Sequence, residues 1–525
     1  MIILKIITGL RHDENSDLYS KLFFIRKGEK IMNNFAEAMK NETRKTRTTN
    51  GAECYNTTNS ALVDLFGSIG SLRGADETRI HSLFRSAYEE DALSATKILF
   101  YARDVRSGLG ERETFRTLLR YCAFNYPEAL RNNLEFIGTY GRYDDLYSLI
   151  HTPLEAEMWN AMKIQLMEDL HNMKQEKPIS LLAKWIKTAD ASSKQTRDLG
   201  IRTALSLGYD VYTFKRMIRR MRKYLNVVEP KMSTNNWDKI EYQEVPSKAM
   251  MNYRNAFIRH DTKRFDDYLS DVKAGKAKIN SSTLYPYDIV RSYFIGDGSS
   301  DVLEEQWKNL PNYLEKEENV LVMCDTSGSM KFNNNALPLF AAIGLTLYFA
   351  ERNVGAFHNL FLTFESDAHL MNIKGSDLRS KIDYVSQAPW GGSTNIWAAF
   401  EDVLNIGVTN HIANEEMPKA LIIISDMQFD VCTGHGRTTS WGFYDKMKER
   451  FEECGYTIPD IVFWNVNSLK DTFHADANYK GVQMVSGCSA VTFKHVLDAI
   501  GYTPYECMMK IINNERYSQI TIADK

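Results

Sequence analysis

Two rhythms of apolar residues run along this chain, and one gives way to the other near residue 300. From about residue 60 to 275 the apolar positions recur at steps of three and four, the spacing that lays a single stripe along an α-helix. "LFRSAYEEDALSATKILFYARDVRSGLGERETFRTLLRYCAFNY" keeps that step and breaks at "SGLG". "PEALRNNLEFIGTYGRYDDLYSLI" repeats the design around a glycine break, and "PISLLAKWIKTAD" and "TRDLGIRTALSLG" continue it. The pattern predicts stacked helical hairpins over residues 51–300, a HEAT-like array made irregular by the lack of a strict consensus. Residues 301–318 mix turn formers with short amphipathic pieces and read as a connector.

From residue 319 to 525 the rhythm becomes strand, helix, strand. "NVLVMC", "NLFLTF", "KALIIIS", "DIVFWNV" and "VQMVSG" are short continuous apolar runs, as strands buried on both faces require. Helical segments such as "ALPLFAAIGLTLYFAER", "SDLRSKIDYV", "TNIWAAFEDVLNIG", "WGFYDKMKERFEECG" and "AVTFKHVLDAIG" separate them. The alternation predicts a doubly wound α/β domain, so the chain as a whole reads as α + α/β. Open sheets of this kind hold their sites beyond the carboxyl ends of the strands.

Composition narrows the classes without choosing among them. A net charge of −3 over 525 residues gives no global pull toward nucleic acid or membrane, so any such attraction must be local. No apolar run approaches the ~18 residues of a membrane span. The seven cysteines are scattered with no CxxC pair, which predicts reduced thiols and a cytoplasmic protein. "MIILKIITGLRH" lacks a preceding basic region and a cleavage site, arguing against a signal peptide. With Met32 opening a polar stretch, residues 1–50 are expected to form a poorly ordered extension.

Three loops fall at the strand ends where such a sheet would carry a site. "DTSGSM" follows the first strand, "APWGGSTNIW" runs into a helix, and "DMQFD" follows "KALIIIS". They offer carboxylates from Asp325 and Asp426 and hydroxyls from Ser327, Ser329 and Thr394, with Ser393 an alternative to Thr394. Oxygen donors of this kind suit a hard cation, Mg2+ first and Mn2+ or Ca2+ after it, with one position open to a partner's acid or phosphate. His435 and Asp430 lie in the third loop or just beyond it, and Trp390 and Trp397 flank the threonine. Both tryptophans are expected to pack and to fix the loop.

"DTSGS", "GGSTN" and "SDMQFD" resemble the three parts of the metal-ion-dependent adhesion site of von Willebrand factor A domains. The resemblance implies Ser327 and Ser329 as direct ligands, Thr394 as a ligand in some states, and Asp325 and Asp426 acting through water or directly. "YARDVRSGLGERETFR", "NLEFIGTYGRYDDLYSLI" and "SKAMMNYRNAFIRHDTKRFDDYLSDVKAGKAKI" add a resemblance to a poorly characterised eukaryotic and viral family. In that family a helical region precedes an A domain. The architecture is also similar to the Ro autoantigen family, whose helical ring and A domain bind structured RNA.

One helix supports RNA independently. In "FKRMIRRMRKYL" the residues Lys215, Arg216, Arg219, Arg220, Arg222 and Lys223 are nearly free of acids, and Arg216, Arg219, Arg220 and Lys223 share a face. Such a stripe follows phosphates, unless Glu229 or Asp238 neutralises it. No GxxxxGK[ST], HExxH or GxSxG is present, and Ser327 stands where a haloacid-dehalogenase-type loop needs its second acid, so no nucleotide cofactor and no enzyme is expected. The expectation is a non-catalytic, Ro-like RNA-binding scaffold with a Mg2+-binding A domain. The alternative is an adaptor in which a protein partner's Asp or Glu completes the metal shell.

Overall fold

The computed structural model describes residues 34–295, 300–314, 319–332, 337–364, 368–392, 394–431 and 442–523. Ser393 and His435 therefore lie outside the described residues. The chain divides into a unit from Met1 to Lys45, in which Asn34–Arg44 is helical, and a unit from Thr46 to Lys525. Everything below concerns the second unit.

Its first part is helical. The principal helices are α1 (Ala61–Ser68), α2 (Glu77–Glu90), α3 (Ala92–Arg103), α4 (Glu113–Asn125), α5 (Glu155–Lys174), α6 (Lys194–Ser206) and α7 (Val211–Tyr224). They are followed by α8 (Ser247–His260), α9 (Thr262–Lys273) and α10 (Pro286–Phe294). Several start on a side chain that satisfies an orphan amide: Asp76 accepts from Thr78 N, Asp91 from Ser94 N, and Asp210 from Thr213 N. Short 3-10 turns and four-residue helices interrupt the series, so helix length runs from 4 to 20 residues.

The second part is a six-stranded sheet: β1 (Val320–Asp325), β2 (Leu360–Phe364), β3 (Ala368–Asn372), β4 (Ala420–Ser425), β5 (Asp460–Asn465) and β6 (Val482–Ser486). The spatial order is β3-β2-β1-β4-β5-β6, parallel throughout except for β3, which pairs antiparallel with β2. Every residue of β1, β4 and β6 is buried, the reason β1 and β4 read as nearly unbroken apolar runs. The edge strand β3, "AHLMN", is half exposed and escapes that pattern. Helices α11 (Leu337–Arg352) and α12 (Ile396–Thr409) lead from the first two candidate loops into the layers covering the sheet.

Helices and sheet share one hydrophobic core. Residues Leu62 to Ser68 of α1 are all buried, because this helix lies against β6. At its end Gly70 comes so close to the strand that a Cβ there would stand 2.7 Å from the Ser486 carbonyl carbon and 2.8 Å from Gly487 Cα. The chain end returns to the helices, where Arg516 Nη2 donates to Asp104 Oδ1 at 2.7 Å and Tyr517 is fully buried against Tyr101 and Tyr140. A second, smaller core gathers Tyr242, Phe257, Phe265 and Val302.

Candidate functional site

The strand order reverses between β1 and β4: the chain leaves β1 for β2 on one side and later returns to build β4 on the other. In open α/β sheets that point leaves a crevice at the carboxyl ends. Cys324 pairs with Ile424 across it, so Asp325 ends its strand opposite Ser425 and Asp426 follows one residue on. Neither has exposed surface. Burial and the neighbouring Asp426 charge push the Asp325 carboxyl well above the usual carboxylate range, and burial raises Asp426 as well.

The local hydrogen bonds separate the roles of the two acids. Asp325 Oδ1 accepts from Ser327 N at 2.9 Å and Oδ2 from the Ser425 hydroxyl at 2.5 Å, so this carboxylate is held by its own loop and its neighbour strand. Asp426 Oδ1 accepts from Gln428 N at 3.2 Å, whereas Oδ2 is buried without a hydrogen bond of good geometry, the Ser329 hydroxyl being the nearby group that favours the ionised carboxylate. A buried carboxylate oxygen in that state is costly unless a cation or water meets it. The hydroxyls of Ser327 and Ser329 stand 3.1 Å apart beside it on the β1 loop. Among the described residues no three His, Cys, Asp or Glu side chains converge, so an ion here would be held largely by hydroxyls and water. That donor set fits a hard cation.

Thr394, 1% exposed, is tied in from the second loop. Its amide donates to Asp430 Oδ2 at 2.5 Å, and Asp430 N donates back to the Thr394 carbonyl at 3.0 Å. Asp430 is thus the residue that docks the second loop on the third. Gly391 N donates to the Thr326 carbonyl at 2.9 Å and docks the second loop on the first. Trp390 donates from Nε1 to the Val385 carbonyl at 3.2 Å, and both Trp390 and Trp397 are partly buried against the core.

The basic helix α7 forms part of a cavity of about 2030 Å³ in the helical region. Lys215, Arg219, Arg222 and Lys223 line it, while Arg216 and Arg220 are exposed and lie off its wall. Among the described residues the wall carries fourteen Lys and Arg side chains against five Asp and Glu, in a chain whose net charge is −3. Several of these acids are already engaged. Glu111 is paired with Arg73 at 2.6 Å, Asp288 with Lys248 at 2.5 Å, and Asp190 lies 3.9 Å from Lys215 and 3.7 Å from Arg219. The acid facing α7 is therefore Asp190, as well as the expected Glu229, which also lines the cavity; Asp238 does not.

Arg222 differs from its neighbours. Its Nε and Nη2 donate to the Ala183 and Ile186 carbonyls, each at 2.8 Å, so it pins the segment Leu182–Trp185 to α7. Elsewhere on the wall, Arg142 lies 3.6 Å over the Trp185 ring. Arg106, Arg112, Lys239 and Arg291 come from segments that sequence periodicity does not connect, and only the tertiary packing collects them. Lys194 and Arg197 of α6 are not on this wall, and Arg197 Nη1 donates to the Ala191 and Ser192 carbonyls.

The turn Thr48–Gly51 was also hidden in the sequence, which put residues 1–50 in a loose extension. Thr48 Oγ1 donates to the Phe429 carbonyl at 2.6 Å and Asn50 Nδ2 to the Gln428 carbonyl at 2.6 Å. These contacts join residues about 380 positions apart in sequence and carry no local signal.

Cys122, Cys324, Cys454, Cys488 and Cys507 are free thiols, and Cys432 lies outside the described residues. Among the described residues no helix is long and apolar enough to cross a membrane.

The uncharacterised protein L728 of Acanthamoeba polyphaga mimivirus is 29% identical over 504 residues, covering 89% of this chain and 86% of that protein. The crystal structure of the Ro (RSR) protein of Deinococcus radiodurans covers 87% of this chain and all of its own, at 12% identity and a TM-score of 0.31, too loose a superposition to carry a conclusion. Residues 319–519 match a domain of unknown function, DUF7788. A second domain of unknown function, DUF2828, matches residues 48–197 and 191–320, more than half of the 525 residues, and the chain belongs to that DUF2828 family.

Proposed function

We propose that this protein is a non-catalytic RNA-binding scaffold whose helical part, a HEAT-like array, takes a polyanionic strand into its basic cavity. The observation that carries the reading is the wall itself, with fourteen basic and five acidic side chains around about 2030 Å³. Low-dielectric walls with an excess of one sign focus the field and concentrate a phosphate chain there even when the whole protein is slightly acidic. Arginines on the wall suit bidentate phosphate contact.

The same reading makes the sheet a von Willebrand A domain with an adhesion-type site for Mg2+. Support comes from the strand order, from Asp325 and Asp426 at the switch point, and from the buried Asp426 Oδ2, which lacks a hydrogen bond of good geometry. Ser327, Ser329 and Thr394 would supply hydroxyls, with the two acids acting through water or directly. Bound there, the cation would offer an open position to an acid or phosphate. That open position favours a second reading, an adaptor that captures a protein partner's Asp or Glu through the metal.

Ultraviolet cross-linking of RNA to the full chain, followed by mass spectrometry of the linked peptides, tests the first reading. Links on segments 105–113, 215–239 and 283–291 are expected. Links confined to surfaces away from these segments would exclude the cavity.

A further inference from the structure

We propose that the turn Thr48–Gly51 is a positioning element of the cation site, setting both Asp426 and Thr394 through the loop Met427–Asp430. The proposal rests on the reading that the carboxylate pair holds a divalent cation. It concerns residues outside the adhesion-type motif and far from it in sequence.

Local bonds hold only part of the loop behind Asp426: Met427 N donates to the Ser425 hydroxyl at 2.9 Å, and Gln428 Nε2 donates to Thr472 Oγ1 at 3.3 Å. Met427 sits at φ +63°, the left-handed region that residues with a Cβ avoid. Something must hold the segment against that tendency. His474 Nε2 lies 3.2 Å from the Met427 carbonyl on one side, and the Thr48–Gly51 turn grips the following residues on the other.

The grip is continuous from turn to ligand. Thr49 N donates to Gln428 Oε1 at 2.9 Å and Asn50 Nδ2 to the Gln428 carbonyl at 2.6 Å. Gln428 in turn donates its amide to Asp426 Oδ1 at 3.2 Å, which orients the carboxylate and leaves Oδ2 without a hydrogen bond of good geometry. Thr48 Oγ1 donates to the Phe429 carbonyl and accepts from Ala52 N at 2.9 Å, so one hydroxyl closes the turn and fastens it. Gly51 bridges to Asp430, the residue that clamps Thr394. It stands at φ +94°, a conformation that favours glycine, and lies close against the loop, where a Cβ would meet Val431 Cγ2 at 3.0 Å. The candidate ligands contributed by the second and third loops are therefore both tied to this distant turn. Groups that orient metal ligands in this way typically govern metal affinity by 10- to 100-fold.

The test is Mn2+ binding by the full chain, read from loss of the free-ion electron paramagnetic resonance signal and from the spectrum of the bound ion. Asn50→Ala and Thr48→Val are expected to bind Mn2+ about 10- to 100-fold more weakly, with an altered bound-ion spectrum. Thr48→Ser, which keeps the hydroxyl, should restore both. Asn50 is exposed, so its variant decides the matter if Thr48→Val fails to fold. Affinities within twofold of wild type for a folded Asn50→Ala would overturn the proposal. A wild-type chain that takes up no Mn2+, indistinguishable from Asp426→Ala, would instead overturn the cation reading beneath it, and this proposal with it.

Discussion

Asp325 and Asp426 lie at the ends of paired parallel strands with no exposed surface, and only the first has both carboxylate oxygens in hydrogen bonds of good geometry. Two buried acids so close cannot both ionise cheaply without a counter-charge. Their environment therefore makes stability depend on pH and on cations.

The direction of the pH effect follows from the raised Asp325 value. An unfolded chain releases this proton near pH 4, whereas the folded chain keeps it to higher pH. Stability from this group is therefore lost as pH rises from about 4 through the raised folded value. In chelator, wild type should melt a few degrees higher at pH 5 than at pH 7.5, and Asp325→Asn should show a smaller difference. Burial also lifts Asp64 to about 6, so the difference between wild type and variant is the informative quantity. An identical pH dependence in the two would contradict the account.

A cation that binds only the folded pair should add stability as RT ln(1 + [L]/Kd). At pH 7.5, Mg2+ at 100 times its Kd should therefore raise stability by ~2.7 kcal/mol in wild type and leave Asp426→Ala unchanged. Scanning calorimetry across a Mg2+ series measures this, and equal shifts in both proteins would count against the site.

Arg222 is expected to behave as a structural residue. Removing its two charge-assisted bonds to the Ala183 and Ile186 carbonyls with Arg222→Ala should cost about 1.5–3 kcal/mol. Lysine cannot reproduce a two-pronged contact, so Arg222→Lys should recover less than half of the loss in chemical denaturation. Full recovery by lysine would show that charge alone matters there.

Gly70 tests whether helices and sheet fold as one body. Its Cβ in Gly70→Ala would strike strand backbone, which cannot yield as a flexible side chain does. A loss of about 1–3 kcal/mol is expected, read as a lower urea midpoint in a single transition. A normal midpoint would mean that α1 and β6 are not held as described.

What was legible in the sequence was what periodicity and strand-end position encode. The buried strands announced themselves as apolar runs, and Asp325, Ser327, Ser329, Thr394 and Asp426 could be collected because each follows or precedes a regular element. β3 was hidden because an exposed edge strand carries His369 and Asn372 among its apolar residues. The α7 stripe was legible as basic residues at helical spacing, but not which of them line the cavity. Spacing grouped Arg216 and Arg220 with Arg219 and Lys223, whereas the cavity takes Lys215, Arg219, Arg222 and Lys223. Which face of a helix turns inward depends on its neighbours. The rest of the wall, from Arg73 to Arg291, and the grip of Thr48 and Asn50 on the Gln428 loop are long-range contacts with no local pattern to reveal them.

The most direct test is the anisotropy of a labelled single-stranded RNA titrated with wild type, Arg219→Glu/Lys223→Glu and Arg216→Glu/Arg220→Glu at several salt concentrations. The account predicts wild-type binding that weakens with salt at a slope of about 0.7 per phosphate contacted. It predicts at least ~100-fold loss for the cavity pair, in line with several lost phosphate contacts, and little change for the pair off the wall. Equal loss in both double variants, or no binding by wild type at low salt, would contradict it.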